Sequence, residues 1–439
     1  MKDGLDLLRM KNILWIAAVA LLPALTRAQP GAPPLVTLEE ALRSASAGNE
    51  SFLIADEELK QAQLIRDKAW AALLPSLTAT GNFTHNSQEV SMTGRVIQRQ
   101  DYLSGNASAK LTLFRGPAIM EIYRACYLSQ AAEATTRWSK NDLLFEVARA
   151  YYAALATRNL AEAIEKSLKT AQENLATVQA RRQAGAALGV DESRARFQVV
   201  STQGDLTGAR NAMDAAIEYL AFLIRRNLPI AVERPVDPKI PGQPGPEPEE
   251  QAFRLRLDLR AASLNLTAAE TAVTESWMDW LPTLSLIGNM SATENTGFSG
   301  DPYGWNVMLS MDWMLFDGGL RIATMKERDS LLAESRLKRE LLERTVRQEL
   351  TQARRELATA NVMLATAREK LKLAQETHEM VKGRYEAGLA TSLELVQAED
   401  SLSQSQSALV SEELNLSLKQ LDLLRVMGMD PLGRESTNP

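Results

Sequence analysis

Trp70-Ala71-Ala72-Leu73-Leu74-Pro75-Ser76-Leu77 recurs 207 positions later as Trp277-Met278-Asp279-Trp280-Leu281-Pro282-Thr283-Leu284. Leu113-Phe114-Arg115-Gly116 recurs 202 positions on as Leu315-Phe316-Asp317-Gly318, and Ala184-Gly185 recurs 203 on as Ala387-Gly388. A period near 200 is too long for a solenoid unit and points to a duplicated structural half. Each half reads as a short helix, two strands, a very long helix, a sharp turn and a return helix.

Residues 1–28 read as a signal peptide. Lys2, Arg9 and Lys11 precede an apolar run from Ile13 to Leu25, and Thr26-Arg27-Ala28 supplies small residues for cleavage. The run is too short for a transmembrane helix. Translation can start at Met1 or at Met10 on this pattern. Removing the leader takes four bases and two acids, so the formal charge moves from -6 to -8, which argues against a nucleic-acid partner.

Cys126 is the only cysteine, so no disulfide can staple the fold within one chain. With only His85 and His378, the composition argues against a histidine-based metal or catalytic cluster. There is no nucleophile elbow or phosphate loop, and the expectation is no enzyme and no cofactor. Beyond the leader no apolar stretch reaches the 18 residues of a spanning helix, so entry into a membrane must be through strands.

Four segments alternate with period two. Leu77, Ala79, Gly81 and Phe83 interleave with Thr78, Thr80, Asn82 and Thr84; Ala107, Ala109, Leu111 and Leu113 interleave with Asn106, Ser108, Lys110 and Thr112. In the second half Leu284, Leu286, Gly288 and Met290 alternate with polar residues, although Ile287 breaks the rule. Trp305, Val307, Leu309, Met311, Trp313 and Leu315 make the fourth set. Trp305 and Trp313 are expected on one face, roughly 26 Å apart at about 3.3 Å per residue, which fits the aromatic girdles of a membrane barrel. A small amphipathic sheet packed on helices is the other reading.

Four strands cannot close a barrel alone. Open edges in lipid would leave N–H and C=O groups unpaired at several kcal/mol each, so a membrane reading requires several chains to share one cylinder. Three chains give 12 strands, within the range of outer-membrane barrels, but nothing in the residues sets the number three.

From Gly116 to Gln183 only Pro117 interrupts, and from Leu320 to Lys382 there is neither proline nor glycine. Rods of roughly 100 Å follow at 1.5 Å per residue. Leu395, Leu402, Leu409, Leu416 and Leu423 are spaced by seven, and Val199, Leu206, Met213 and Leu220 keep the same seam in the first half. The outgoing rods step by three and four through Ala161, Ile164, Leu168, Ala171, Leu175 and Val178, and through Ala360, Leu364, Ala367, Leu371, Ala374, His378, Val381 and Tyr385. These are coiled-coil heptads. Each hairpin turns at a glycine, Gly185 or Gly388, followed six residues on by Asp191 or Glu394 in the first turn of the return helix.

The ordered set of leader, duplicated halves, Pro75 and Pro282 at helix–strand junctions, and Gly-x5-Asp/Glu tips resembles the TolC-type outer-membrane efflux proteins. The resemblance runs from Leu38-Glu39-Glu40-Ala41-Leu42 to about Gly428. It implies a mixed α/β membrane protein: an all-α coiled-coil barrel of long helical hairpins continuous with a transmembrane β-barrel, four strands per chain and 12 in a homotrimer. It further implies an outer-membrane location with a periplasmic helical tunnel. The function implied is the exit duct of a tripartite efflux pump or type I secretion system, docking on a periplasmic adaptor (membrane fusion protein) and an inner-membrane pump. On this basis Gly185, Ala186, Gly388 and Leu389 are expected at the adaptor-docking tip, Asp191, Tyr385 and Glu394 at a tip constriction, and Trp305 and Trp313 in the girdle against outer-membrane lipid. Tightly sealed members carry Arg two residues after the second tip glycine and Asp nine after it; Ala390 and Gln397 stand there instead. Glu394, Glu399 or Asp400 could form an acidic ring, or lie as solvated helix surface, and His378 reads as interhelical packing.

The domain plan is 1–28 leader, 29–226 first repeat, 227–250 connector, 251–428 second repeat and 429–439 disordered tail. The connector holds seven of the chain's 17 prolines and reads as extended. A periplasmic coiled-coil adaptor or structural protein is the alternative, but it has no need for tryptophan-flanked strands.

Overall fold

The computed structural model describes residues 34–233, 248–297 and 299–435. The leader and the central part of the connector lie outside them.

The chain begins with β1 (Leu35–Val36). The Thr37 hydroxyl then accepts from the Glu40 backbone N–H at 3.2 Å and starts α1 (Leu38–Gly48). Asn49 ends that helix and caps α2 (Glu50–Ala71), its side chain accepting from the Ser51 N–H at 2.8 Å. Pro75 delivers the chain into β2 (Ser76–His85). A small hairpin of β3 (Val90–Met92) and β4 (Arg95–Gln98), which the alternation pattern did not reveal, precedes β5 (Asp101–Phe114).

Next come α3 (Gly116–Gln183) and α4 (Gly189–Ile224). A short β6 (Ala231–Val232) pairs in parallel with β1. The second half runs α5 (Pro248–Leu255), α6 (Leu257–Met278), β7 (Thr283–Thr293), β8 (Tyr303–Asp312), α7 (Leu320–Glu386) and α8 (Ser392–Val426). Both sides of the proline-rich segment therefore follow the order helix, strand, strand, long helix, return helix.

The long helices pack through their small residues. Ala161, Leu168, Ala171 and Val178 on α3, and Ala360, Leu364, Ala367, Ala374 and Tyr385 on α7, are buried along the heptad seams. Alanine-rich seams let helix axes approach to the short end of the usual 8–10 Å. The main core lies where α1, the β1–β6 pair, the middle of α3 and the ends of α4 and α8 converge on Phe145, Tyr151, Leu220, Ile224, Leu421 and Leu424. Tyr151 ties that core to the strand pair, its hydroxyl donating to the carbonyl oxygens of Val36 at 2.9 Å and Glu233 at 2.5 Å. Burial pushes its phenol up to about 12.

Two segment expectations are corrected. The tail is packed as far as Glu435: Met429 is buried in the main core, its carbonyl accepts from Asn141 at 2.9 Å, and its backbone bridges Glu435. Asp430 accepts from the Leu432 and Arg434 N–H groups and closes the turn. Residues 436–439 lie outside the described set. At the connector's ends, Ala231–Val232 is a paired strand, and helix already begins at Pro248, proline being tolerated in a first turn.

The four long strands form one antiparallel sheet in the order β2-β5-β7-β8. Ala79, Ala107, Met290 and Trp305 lie in one row across it, as do Leu77, Ala109, Gly288 and Val307. The apolar sets named from the sequence share a single face wherever they are paired; Leu113 falls in a bulge where Phe114 takes the pairing with Leu284, and Trp313 and Leu315 lie past the end of β8. The other face carries Thr80, Asn106, Ser291 and Gly304 in one row, and Thr78, Ser108, Asn289 and Asn306 in the next.

Candidate pore tip and membrane sheet

The two ends of the molecule carry the features that bear on function. At one end the helical hairpins turn. Helix α3 stops because Gly185 takes a φ of +75°, letting the Ala186 N–H donate to Arg181 carbonyl oxygen at 2.8 Å and Gly185 N–H to Arg182 at 3.0 Å. Helix α7 repeats this at Gly388 (φ +74°), with the Leu389 N–H on Arg384 at 2.7 Å and the Gly388 N–H on Tyr385 at 3.1 Å. These are Schellman-type C-caps, and L side chains resist that φ. Gly185, Ala186, Gly388 and Leu389 are all solvent-exposed, and Leu188, Val190 and Leu393 add apolar surface beside them. The sequence reading did not single out those last three.

The acids behind the turns serve the return helices. Glu394 accepts from the Thr391 N–H at 2.7 Å, while the Thr391 hydroxyl accepts from the Glu394 N–H at 3.3 Å, a capping box. The Thr391 backbone hydrogen bond holds the Glu394 carboxyl below its ordinary range. Asp191 accepts from the Leu188 N–H at 3.2 Å and sits 3.7 Å from Arg194. Helix-start electrostatics therefore accounts for both acids within one chain.

Tyr385 is only 7% exposed and lies between the two hairpins, in an apolar cluster with Val178, Ala195 and Leu395 against which Ala390 also packs. Arg181 of α3 covers its ring at 4.4 Å and donates to the carbonyl oxygens of Tyr385 at 3.0 Å and Glu386 at 3.2 Å. No heptad or turn rule marks Arg181, because its role depends on which α7 carbonyls end at its height. Beside it Arg182 pairs with Glu192, whose carboxyl that hydrogen bond holds low.

Above the tip a cavity of about 340 Å³ opens among α3, α4, α7 and α8, lined by Lys166, Gln198, His378, Lys382 and Glu399 among others. Glu399 and Asp400 are not free surface. Glu399 is half-buried, accepts from Asn174 at 3.2 Å, and is pushed up to about 7 by burial. Asp400 accepts from Gln198 at 2.6 Å. His378 is buried in the α7 seam with Nε2 lacking a hydrogen-bond partner, and burial lowers its pKa. Among the described residues no group of three or more His, Cys, Asp or Glu side chains could hold a metal ion.

At the other end the sheet's apolar face is uncovered. Leu77, Phe83, Leu103, Val307, Leu309 and Met311 are all exposed, far more contiguous apolar surface than a soluble sheet leaves open. No helix among the described residues is long and apolar enough to cross a membrane. Trp305 is 81% exposed near one end of β8. Trp313 falls one residue past the last ladder pair, Thr283 with Asp312, so the ruler drawn along one strand ends outside it. The cause is Pro282, which precedes Thr283 and has no N–H to extend the ladder. Trp313 instead donates its indole N–H to the Trp280 carbonyl oxygen at 3.1 Å, and Arg321 covers the Trp280 ring at 4.2 Å. Trp70 near the end of α2, and Trp277 and Trp280 at and just past the end of α6, also stand exposed where those helices lead into β2 and β7.

The family model for outer membrane efflux protein matches residues 41–224 and again 250–429. The probable efflux pump outer membrane protein TtgC of Pseudomonas putida is 23% identical over 402 residues, covering 89% of this chain and 82% of that protein. The antibiotic efflux pump outer membrane protein ArpC of Pseudomonas putida is 23% identical with the same coverage. Among solved structures CusC superposes with a TM-score of 0.78 at 18% identity, over 89% of this chain and 92% of that one. This chain belongs to the outer membrane efflux protein family.

Proposed function

We propose that the protein is the passive outer-membrane exit duct of a tripartite efflux pump, a homotrimer whose copies pool their sheets into one 12-stranded barrel. The leader, residues 1–28, directs export and is removed. The long hairpins make a periplasmic tunnel, and the exposed apolar tip around Leu188, Leu389 and Leu393 docks a periplasmic adaptor bound to an inner-membrane pump.

The observation that carries this reading is the four-stranded sheet with one apolar exposed face and two open edges, β2 and β8. Ten residues of β2 span roughly 33 Å at about 3.3 Å each, and a tilt near 40° brings this to about 25 Å, the apolar height of an outer-membrane barrel. Only a closed ring satisfies the edge N–H and C=O groups in lipid. The polar face, with Asn289 donating to Asn306 at 3.0 Å, then lines a wet lumen. The names of TtgC and ArpC support efflux over type I secretion, and the antibiotic efflux pump in ArpC's name supports antibiotics as cargo.

Expression with a matched adaptor and pump in cells lacking their own duct is expected to restore drug efflux, with the protein in the outer-membrane fraction. Leu309→Lys, a charge on the lipid face costing about 2–4 kcal/mol at mid-bilayer, is expected to abolish both. Accumulation of the unaltered protein in soluble periplasm would favour the coiled-coil adaptor alternative.

A further inference from the structure

We propose that a cleft floored by α6 and walled by α3 and α7 binds a small anionic amphiphile: one carboxylate, sulfate or phosphate on a compact hydrocarbon body. The site is complete within one chain and goes beyond the duct reading, on which its binding chemistry does not depend.

The cleft starts from side-chain size. α6 packs on α3 along one side and on α7 along the other, while the backbones of α3 and α7 stay apart. Between those walls α6 presents Ala262, Ala268, Ala269 and Ala272, which fill little of the gap. The space left is about 480 Å³, within the range of pockets that hold drug-sized ligands. Ion pairs fix the heights of the walls: Arg124 of α3 lies 2.8 Å from Glu275 of α6, and Arg336 of α7 lies 3.8 Å from Glu270. Leu128, Leu331 and Leu342 add apolar surface from the two walls.

The charged lining has one sign. Arg124, Arg328, Lys338 and Arg339 line the cleft, and among the described residues no Asp or Glu does. Three of these cations have a carboxylate outside it: Arg124 has Glu275, Lys338 has Glu334 at 2.7 Å, and Arg339 has Glu343 at 3.1 Å. Arg328 is half-buried and has no ion-pair or hydrogen-bond partner among the described residues. The other described arginines withdrawn from solvent to that degree each have a carboxylate, except Arg181, which has two carbonyl oxygens. A half-buried guanidinium has lost part of its water, and its planar fork fits the oxygens of a carboxylate, sulfate or phosphate.

The repeated fold does not require this cleft. The offsets of 207 and 202 carry Ala268, Ala272 and Arg328 onto Gln61, Ile65 and Cys126, so the first half has neither the small floor nor the unanswered cation. The ligand is a free amphiphile and not a bilayer phospholipid. The lining stops at Ala272, six residues before Met278 ends α6, which is about 9 Å of helix short of the turn into the sheet. The volume does not admit two acyl chains.

The test uses the full-length protein in non-ionic detergent. It is photolabelled with a diazirine-bearing decanoate, the matching decanol, or a diazirine-bearing phosphatidylglycerol, and cross-links are mapped by peptide mass spectrometry. Decanoate is expected to label residues 262–272 and 328–342 several-fold more than decanol. Arg328→Gln is expected to cut that labelling about tenfold, the scale of one charge-assisted hydrogen bond, while Arg328→Lys keeps most of it. Ala269→Phe fills the floor, leaves every cation in place, and is expected to cut labelling as well. Arg328→Gln breaks no ion pair or hydrogen bond of the fold, so an unchanged melting temperature serves as its control. Equal labelling by decanol, or undiminished labelling of Arg328→Gln, would overturn the anion site and leave the duct reading standing. Stronger labelling by the phosphatidylglycerol would overturn the free amphiphile in favour of a lipid headgroup.

Discussion

Arg181 on α3 and Tyr385 on α7 hold the two hairpins together at the tip: the guanidinium lies 4.4 Å from the ring centre and donates to the Tyr385 carbonyl oxygen at 3.0 Å. The contact combines a stacked cation with hydrogen bonds to two carbonyl oxygens at the end of a helix, where a positive charge also meets the negative dipole end. It stands in a chain that has Ala390 and Gln397 where sealed relatives are expected to carry Arg and Asp. Arg181→Ala is expected to cost about 1–3 kcal/mol of local stability, from the lost stacking and hydrogen bonds. Amide exchange across residues 381–390 should quicken while exchange in the core around Tyr151 stays unchanged. Unaltered exchange at the tip would show that the apolar cluster alone holds the hairpins.

Glu399 gives the seam between α3 and α8 a pH dependence. Its folded pKa of about 7 lies above the ordinary 4.5, so the folded state holds a proton that the unfolded state has released between those values. Its favourable contribution is complete below about pH 4.5 and is lost as pH rises through about 7. After discounting for partial exposure the penalty above pH 7 is on the order of 1–2 kcal/mol. Lys166 on α3, Lys382 on α7 and Asp400 on α8 also bear on the site. Glu399→Gln keeps an acceptor for Asn174 and is expected to slow proteolysis of the helical region at pH 8, with no gain at pH 4.5. An equal gain at both pH values would contradict the assignment.

His378 works in the opposite direction. Burial lowers its folded pKa beneath 6.5, so stability is lost as pH falls below that value and the unfolded chain takes up the proton first. His378→Leu, which restores the residue found at the equivalent Leu175, removes a buried nitrogen without a partner. The expected gain is about 1–2 kcal/mol near neutral pH and larger at pH 5, measured by denaturant unfolding in detergent. A loss of stability would mean that the imidazole packs better than leucine in this seam.

Gly388→Val forces a β-branched residue to a φ of +74° at an exposed turn with open space around it. The cost is backbone strain of about 1–2 kcal/mol, confined to the tip. Trimers are expected to form normally while adaptor binding, measured by pull-down from membranes, falls. Wild-type efflux by this variant would remove the docking role from the second tip.

The parts of the fold that depend on local pattern were readable from the chain. The heptad seam from Ala360 to Tyr385 fixed a helix and its buried face, and Gly185 and Gly388 marked both turns, because periodicity and positive φ are local properties. Alternation located the four strands, and Leu77, Ala107, Met290 and Trp305 do share a face. What escaped depends on distant neighbours. The end of β8 at Asp312 is set by Pro282 on the adjacent strand, Glu399 is half-buried because α3 places Asn174 opposite it, and Met429 is ordered by a core built mainly from α3, α4 and α8. Arg181 escaped for the same reason, since its partners are backbone atoms 204 and 205 positions away.

The most direct measurement is the mass of the intact particle, extracted from outer membranes in mild detergent and weighed by native mass spectrometry. A particle of three chains is the expected result, since each contributes four strands to a ring that leaves no backbone edge in lipid. A lone chain under the same conditions, with its sheet unpaired at β2 and β8, would contradict the account at its root.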